Sequence, residues 1–175
     1  ITLYSDSNCD RYIGNGCDSL YYVTINGNIN VPYNSFNKSA NKTKNLYING
    51  TAESSFNLVE LDNIQYIKIN QTNVSYFGQL YGAPNLEVQN DYVPASLKTV
   101  EIGNSRINAG FFYGCSYIHN IILPNALSVN MDALSGLNSI RNVYFGSSTL
   151  SNTNFTIGFN DVEHVYKPNI SGNSL

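Results

Sequence analysis

Side chains that could carry out acid–base or metal chemistry are few and scattered in this sequence. The two histidines, His119 and His164, are the available general bases near neutral pH. Neither is accompanied by a nucleophile elbow, a glycine-rich phosphate loop or the ligand spacing of a metal site. Each is interpreted as a surface or interface histidine, and we predict a non-enzymatic protein with no cofactor and no metal centre.

Carboxylates form two patterns that bear on catalysis or metal binding. Glu87 and Glu101 would be neighbours on adjacent strands if both held the same repeat position, and we interpret them as two solvated glutamates rather than a catalytic acid pair. Residues 6–10, Asp-Ser-Asn-Cys-Asp, alternate oxygen ligands as a calcium loop does. Arg11 occupies the position where an EF-hand needs glycine, and Cys17 occupies the position where it needs a bidentate glutamate. A turn-rich segment therefore explains the Asp and Asn residues better than a calcium site does.

The elements that would position any site are repeated strands. An apolar pattern of the form L-x-x-V-x-I recurs along the chain, with copies that begin at Leu20, Thr43, Ile64, Ala83, Leu97, Ile118, Ile140 and Val162. Most starts lie about 19 to 23 residues apart, and the shorter interval before Leu97 is interpreted as a trimmed outer segment. A repeat of this length holds one strand and its return path and cannot bury its own apolar face, so about eight strands must stack into a solenoid.

The segments between the strands carry a second pattern. Residues 107–118 and 129–140 match each other position for position and resemble the I-x-x-x-A-F-x-G-C-x-x-L segment of BspA-like leucine-rich repeats. Pro124 matches that family's I-x-L-P exit from the strand. The resemblance implies a leucine-rich repeat solenoid of about eight repeats of roughly 22 residues, with a parallel β-sheet on one face and irregular or short helical turns on the other. It also implies surface adhesion, and it covers residues 64–166 best.

Two rows of apolar side chains in these segments are expected to form the wall opposite the sheet. The first row is Phe77, Phe112, Leu134 and Phe155, and the second is Leu80, Cys115, Leu137 and Phe159. A fully buried apolar side chain stabilises a fold by about 1.5 to 3 kcal/mol. Asn or Gly follows many of the strands, where a positive φ or a side-chain bond to the backbone would help the chain to turn.

The solenoid is expected to span residues 20–175 and to end in a partial repeat, with residues 1–19 as an N-terminal cap. Cys9 and Cys17 either form a disulfide that pins the first edge of the sheet or remain free thiols, and the disulfide is favoured. Cys115 is interpreted as a small buried apolar residue. An oxidising compartment follows if the disulfide forms.

Composition narrows the classes of partner. Lysine and arginine total 9 and the net charge is -3, so the chain lacks an electrostatic footprint for nucleic acid. The sequence has no run of about 18 or more apolar residues, so no membrane span is predicted in this chain. The first residue is Ile1 rather than Met, which suggests a processed or excised chain.

Seven N-x-S/T sequons are candidate glycosylation sites. They lie at Asn37, Asn41, Asn49, Asn70, Asn73, Asn154 and Asn169. These sequons fit a secreted protein, and the Asn-rich composition of an AT-rich genome explains them equally well. Taken with the family resemblance, they indicate an extracellular or cell-surface location.

The solvent-facing residues of the strands give the strongest indication of function. Period-two alternation turns the third and fifth positions of each copy outward, and tyrosine is frequent there. The candidate ligand-binding residues are Tyr22, Tyr47, Tyr66, Lys68, Glu101, Tyr144, His164 and Tyr166. Because tyrosine offers a large contact area and a hydroxyl, we predict a recognition or adhesion module that binds a protein or a glycan. Cross-strand aromatic packing that only stabilises the sheet is the competing interpretation.

A structural role is the alternative function. The chain passes Pro168 without an amphipathic capping helix, so the edge of its last strand would need cover from a partner. On this hypothesis the protein is a building block of an extracellular or virion assembly and self-associates through the ends of the solenoid.

Overall fold

The computed structural model describes residues 2–4, 21–27, 35–36, 42–53, 56–130, 132–135, 137–146 and 163–166. Over these residues the chain is a parallel β-solenoid with little helix. The disulfide predicted between Cys9 and Cys17 lies outside the described residues, as do the calcium-like segment 6–10 and the predicted core residues Phe155 and Phe159.

The described strands form two sheets, a main sheet of eight strands and a second sheet of two. The strands of the main sheet are β1 Thr2–Tyr4, β2 Tyr22–Asn26, β3 Asn45–Ala52, β4 Tyr66–Thr72, β5 Thr99–Ile102, β7 Asn120–Leu123, β9 Asn142–Phe145 and β10 His164–Tyr166. The second sheet pairs β6 Arg106–Ile107 with β8 Ser128–Val129. Two short 3₁₀ helices, η1 Phe77–Tyr81 and η2 Leu86–Asp91, lie between β4 and β5.

Neighbouring strands of the main sheet all run parallel, in the order β1-β2-β3-β4-β5-β7-β9-β10. From β2 to β9 the chain completes about five turns. The repeat positions stay in register, so that Ile67 pairs with Leu46 on one side and with Val100 on the other. These apolar residues are buried. The prediction of a parallel sheet with inward-facing apolar positions is therefore confirmed, and β1, which lies within the predicted cap, adds a strand beside β2.

The strand predicted from the copy at Ala83 is wrong. Residues 86–91 form η2, and β4 pairs directly with β5. The Asn85 side chain accepts a hydrogen bond from the Glu87 backbone N–H at 3.0 Å, which starts a helical turn where the apolar pattern indicated a strand. The short interval before Leu97 is not a trimmed outer segment, because η2 belongs to the turn that connects β4 with β5.

The wall opposite the main sheet is rich in aromatic rings. The described members of the two predicted rows are all buried: Phe77, Leu80, Phe112, Cys115, Leu134 and Leu137. The ring of Phe112 lies 5.7 Å from that of Phe77 and 4.9 Å from that of Phe111. These positions confirm the predicted rows. Burial raises the pKa of the Cys115 thiol well above its ordinary value, so this cysteine stays neutral and is a poor nucleophile.

A buried polar side chain links η2 to this wall. Gln89 is fully buried, and its Oε1 accepts a hydrogen bond from the Gly78 backbone N–H at 3.0 Å and lies 3.3 Å from Cys115 Sγ. Its Nε2 donates to the Leu86 carbonyl at 3.2 Å. Because both ends of the amide have partners, η2 can pack against the core without the cost of an unpaired buried polar group.

Close approach between turns explains the glycine that follows β9. A Cβ at Gly146 would lie 2.7 Å from the Cα of Pro124, in the backbone of the preceding turn. The φ angle of Gly146 lies outside the left-handed region, so the expected positive φ is not the reason for glycine here. A positive φ does occur after β2, at Gly27, where it is 87°.

Candidate binding face of the main sheet

The outward side chains of the main sheet form two columns that cross the strands. The first column is Tyr22, Asn45, Tyr66, Thr99, Asn120, Asn142 and His164, and the second is Thr24, Tyr47, Lys68, Glu101, Ile122, Tyr144 and Tyr166. The structure places all eight candidate ligand-binding residues in these two columns, on one face of the sheet. We call this surface the outer face.

One part of the outer face is organised around a carboxylate. Glu101 Oε2 accepts a hydrogen bond from the Tyr66 hydroxyl at 2.5 Å, and Glu101 Oε1 lies 2.9 Å from Lys68 Nζ. The ring of Tyr47 lies 5.7 Å from that of Tyr66. We call these four residues the Glu101 cluster. Its members lie on three consecutive strands, β3, β4 and β5, and each contact restrains a side chain at the surface.

Tyr66 stays protonated at neutral pH in this cluster. Partial burial is the largest cause that raises the pKa of Tyr66 well above its ordinary value, and the hydrogen bond and negative charge of Glu101 add to it. The phenol therefore keeps the proton that it donates to Glu101. The side chain of Glu101 is 15% exposed and that of Lys68 is 39% exposed, so the lysine is the more accessible charge.

A ladder of polar side chains occupies the middle of the outer face. Asn142 Nδ2 donates to Asn120 Oδ1 at 2.7 Å, and Asn120 Nδ2 donates to Thr99 Oγ1 at 3.0 Å. The ladder fixes the orientation of both amides. A side-chain amide carries two N–H donors and a carbonyl acceptor, so the ladder bonds leave further capacity for hydrogen bonds to a ligand.

Stacked tyrosine rings occupy the β10 end of the face. The rings of Tyr144 and Tyr166 are parallel within 3° and their centroids are 4.4 Å apart. His164 lies 5.9 Å from the Tyr166 ring. Tyr144 is 36% exposed and Tyr166 is 47% exposed, so this stack presents aromatic surface to solvent. At the other end of the face Tyr22 is 59% exposed.

Sequence reasoning missed the Glu101 cluster. It placed Glu87 beside Glu101, and this is wrong because Glu87 lies on η2, outside the main sheet. With β5 next to β4, the residue directly opposite Glu101 is Lys68. The signal that could have located the cluster is the strand register. The ladder residues were recognised as outward positions, but their linkage from strand to strand was missed.

The groups on the outer face suit non-covalent binding. They comprise hydroxyls, amides, aromatic rings, the imidazole of His164 and the paired charges of Lys68 and Glu101. Over the described residues no three His, Cys, Asp or Glu side chains come together as metal ligands. Over the same part of the chain no helix has the length and apolarity that crossing a bilayer requires.

The sequons differ in their placement. Asn49 lies on β3, where its side chain donates to Asn26 Oδ1 at 2.7 Å, and Asn70 lies within β4. Asn73 is exposed and directly follows β4, so it is the best placed of the three for modification. The remaining sequons, Asn37, Asn41, Asn154 and Asn169, lie outside the described residues.

Comparison of the chain with protein-family models, curated proteins and solved structures finds no match.

Proposed function

We propose that this chain is a BspA-like leucine-rich repeat domain that binds a protein or a glycan through its outer face, at the cell surface or outside the cell, without enzymatic activity. Support for the family comes from the two matching segments at 107–118 and 129–140 and from the parallel solenoid in which they lie. From β2 to β10 the strands of the main sheet start 21 to 23 residues apart, except between β4 and β5, whose starts at Tyr66 and Thr99 are 33 residues apart because η1 and η2 lie between them.

The observation that best supports this function is that the side chains of the outer face are pre-organised. The Glu101 cluster, the Asn142–Asn120–Thr99 ladder and the stacked rings of Tyr144 and Tyr166 hold polar and aromatic groups in fixed positions. A surface whose side chains are already ordered loses less conformational entropy when a ligand binds. Tyrosine also combines a flat apolar ring with a hydroxyl, which suits both sugar rings and protein side chains.

Binding to an immobilised panel of glycans and extracellular-matrix proteins tests this function. We expect the wild-type protein to bind at least one member, and the double variant Tyr144→Ser with Tyr166→Ser to weaken that binding by roughly tenfold or more. Tyr113→Ser is the matched control, because Tyr113 is comparably exposed but lies in the turn between β6 and β7. Equal losses in both variants, or no binding by the wild type, would contradict the proposal.

Assembly through the solenoid ends is the second candidate. In the described part of the chain, β1 pairs only with β2 and β10 pairs only with β9, so each end presents the edge of a strand. Such edges can pair with another chain. Light scattering over a concentration series distinguishes the two functions, because a binding module stays near 19.4 kDa whereas a building block grows in mass.

A further inference from the structure

A second surface lies along the edge of the main sheet where the strands begin. One residue per turn occupies this edge, immediately before its strand, and these residues are Tyr21, Lys44, Gln65, Lys98, His119, Arg141 and Glu163. We call them the strand-start row. The backbone N–H of each member after Tyr21 donates to the carbonyl of the member before it, at 2.8 to 3.0 Å. The row is therefore continuous across seven strands.

Positive charge recurs at every second member of this row, at Lys44, Lys98 and Arg141. Lys98 and Arg141 flank His119, and neighbouring strands lie about 4.8 Å apart. Lys44 lies two turns before Lys98. The row thus holds three of the six lysines and arginines that the structure describes, although the net charge of the chain is -3.

None of these cations forms an ion pair with a carboxylate within the described part of the chain. The ion pair found there is Lys68 with Glu101, on the outer face. Lys98 and Arg141 lie two strands apart with His119 between them, about 9.6 Å at the backbone, so an anionic ligand that reaches both would interact with two positive charges. Glu163 follows Arg141 in the row and supplies its one negative charge.

The pKa of His119 is affected by the cations on both sides of it in the row. Partial burial is the first cause that lowers its pKa, and the positive charges of Lys98 and Arg141 are the second and third. The two cations therefore act on the imidazole from both adjoining strands. An anion bound between them would offset their effect on His119.

Exposed tyrosine rings lie beside the lysines of the row. Lys98 Nζ lies 5.5 Å from the centre of the Tyr117 ring and 3.3 Å from the Tyr117 carbonyl. Lys44 Nζ lies 5.8 Å from the centre of the Tyr21 ring. Both rings are 44% exposed. A cation beside an accessible ring offers charge and a stacking surface at the same place.

We propose that the strand-start row binds a sulfated or carboxylated polysaccharide that runs across the strands from Lys98 to Arg141. A linear polymer with repeated negative charges matches cations that recur at every second strand. The exposed ring of Tyr117 provides a surface for a sugar ring, which an acidic peptide would use less well. Nucleic acid is disfavoured because the whole chain has too few cations to neutralise a run of phosphates.

The direct test measures the binding of a short fluorescent dextran sulfate and of unsulfated dextran of equal length. We expect only the sulfated polymer to bind, more weakly as the salt concentration rises. The double variant Lys98→Gln with Arg141→Gln should lose roughly threefold to tenfold in affinity. The matched control, Lys42→Gln with Arg106→Gln, removes the same charge from two exposed residues outside the row and should change affinity by less than about twofold. Equal losses in both variants would overturn the proposal.

A second readout locates the polymer on the protein. The chain has two histidines, so NMR can follow His119 in the row and His164 on the outer face. Bound dextran sulfate should raise the pKa of His119, and affinity should increase as His119 becomes protonated. If bound dextran sulfate changed the pKa of His164 alone, the strand-start row would not be the binding site, and the polymer would instead lie on the outer face. Equal affinity for polyglutamate of the same length would overturn the choice of a polysaccharide.

Discussion

Glu101 holds together the polar part of the outer face. Its two carboxylate oxygens contact the hydroxyl of Tyr66 and the ammonium of Lys68, and both partners lie on the neighbouring strand β4. A partly exposed ion pair contributes at most about 1 kcal/mol, and a hydrogen bond to a charged group contributes about 1.5 to 3 kcal/mol when buried. The cluster therefore orders the surface more than it stabilises the fold.

Substitution of Glu101 tests that arrangement. We expect Glu101→Gln to lower the free energy of unfolding by about 1 kcal/mol, because the ion pair is lost and a weaker acceptor remains for Tyr66. Urea unfolding measures the change. Glu87→Gln is the control, since Glu87 is exposed on η2, and it should change stability little. A stabilising effect of Glu87→Gln would indicate that the two glutamates repel each other, which contradicts the register of β4 with β5.

The depressed pKa of His119 links stability to pH. His119 has an ordinary pKa of 6.5, lowered in the fold by burial and by the charges of Lys98 and Arg141. As the pH falls below about 6.5, the unfolded chain binds the proton before the folded chain does, so the fold loses stability until the folded pKa is passed.

Urea midpoints measured between pH 7.5 and 5 should therefore fall for the wild type and fall less for His119→Gln. His164→Gln is the matched control and should keep the wild-type dependence, because it leaves Lys98, His119 and Arg141 in place. An identical pH dependence in wild type and His119→Gln would show that His119 contributes nothing to it.

At the scale of elements, η2 shows where the sequence pattern was misleading. Leu86 and Val88 have the spacing of strand residues, yet both are only partly buried and Gln89 is the residue that reaches the core. Periodicity over so few residues cannot separate a strand from a 3₁₀ turn. The deciding contacts come from Gly78, in η1 of the same turn, and from Cys115, in the next turn, and the local apolar pattern contains neither contact.

Removal of the Gln89 amide should destabilise the whole solenoid. Gln89→Ala leaves the buried Gly78 N–H without its acceptor and opens a cavity, so we expect a loss of about 2 to 4 kcal/mol in the free energy of unfolding. Asn90→Ala is the control, because Asn90 is exposed and bonds only to Ser116 among the described residues. A loss in Gln89→Ala no greater than that in the control would mean that η2 is not part of the core.

At the scale of the molecule, the apolar repeat was sufficient to predict a stacked parallel sheet and its inward residues. Alternation along each strand decides which side chains are buried, and this information is local. The outward positions, including Tyr144 and Tyr166, were therefore assigned to one face correctly. Which strands are neighbours depends on the conformation of the turns, and for that reason the pairing of Lys68 with Glu101 and the continuity of the strand-start row needed the structure.

The outer face and the strand-start row share a border. His119 and Asn120 are consecutive residues, the first in the row and the second in the ladder of the outer face. Both surfaces depend on the same parallel register, because each takes one residue from each turn. A strand inserted between β4 and β5 would separate the members of both surfaces, so both surfaces depend on the uninterrupted strand order.

Cysteine cross-linking between β4 and β5 tests the strand order most directly. Residues directly opposite each other on parallel neighbours lie about 4.8 Å apart, within the range a disulfide spans, whereas an intervening strand would double that distance. In Lys68→Cys with Glu101→Cys we expect mild oxidation to form the disulfide in high yield, detected by peptide mapping, and we expect none in Lys68→Cys with Glu87→Cys. Formation of the second disulfide in place of the first would contradict the single uninterrupted sheet on which both surfaces depend.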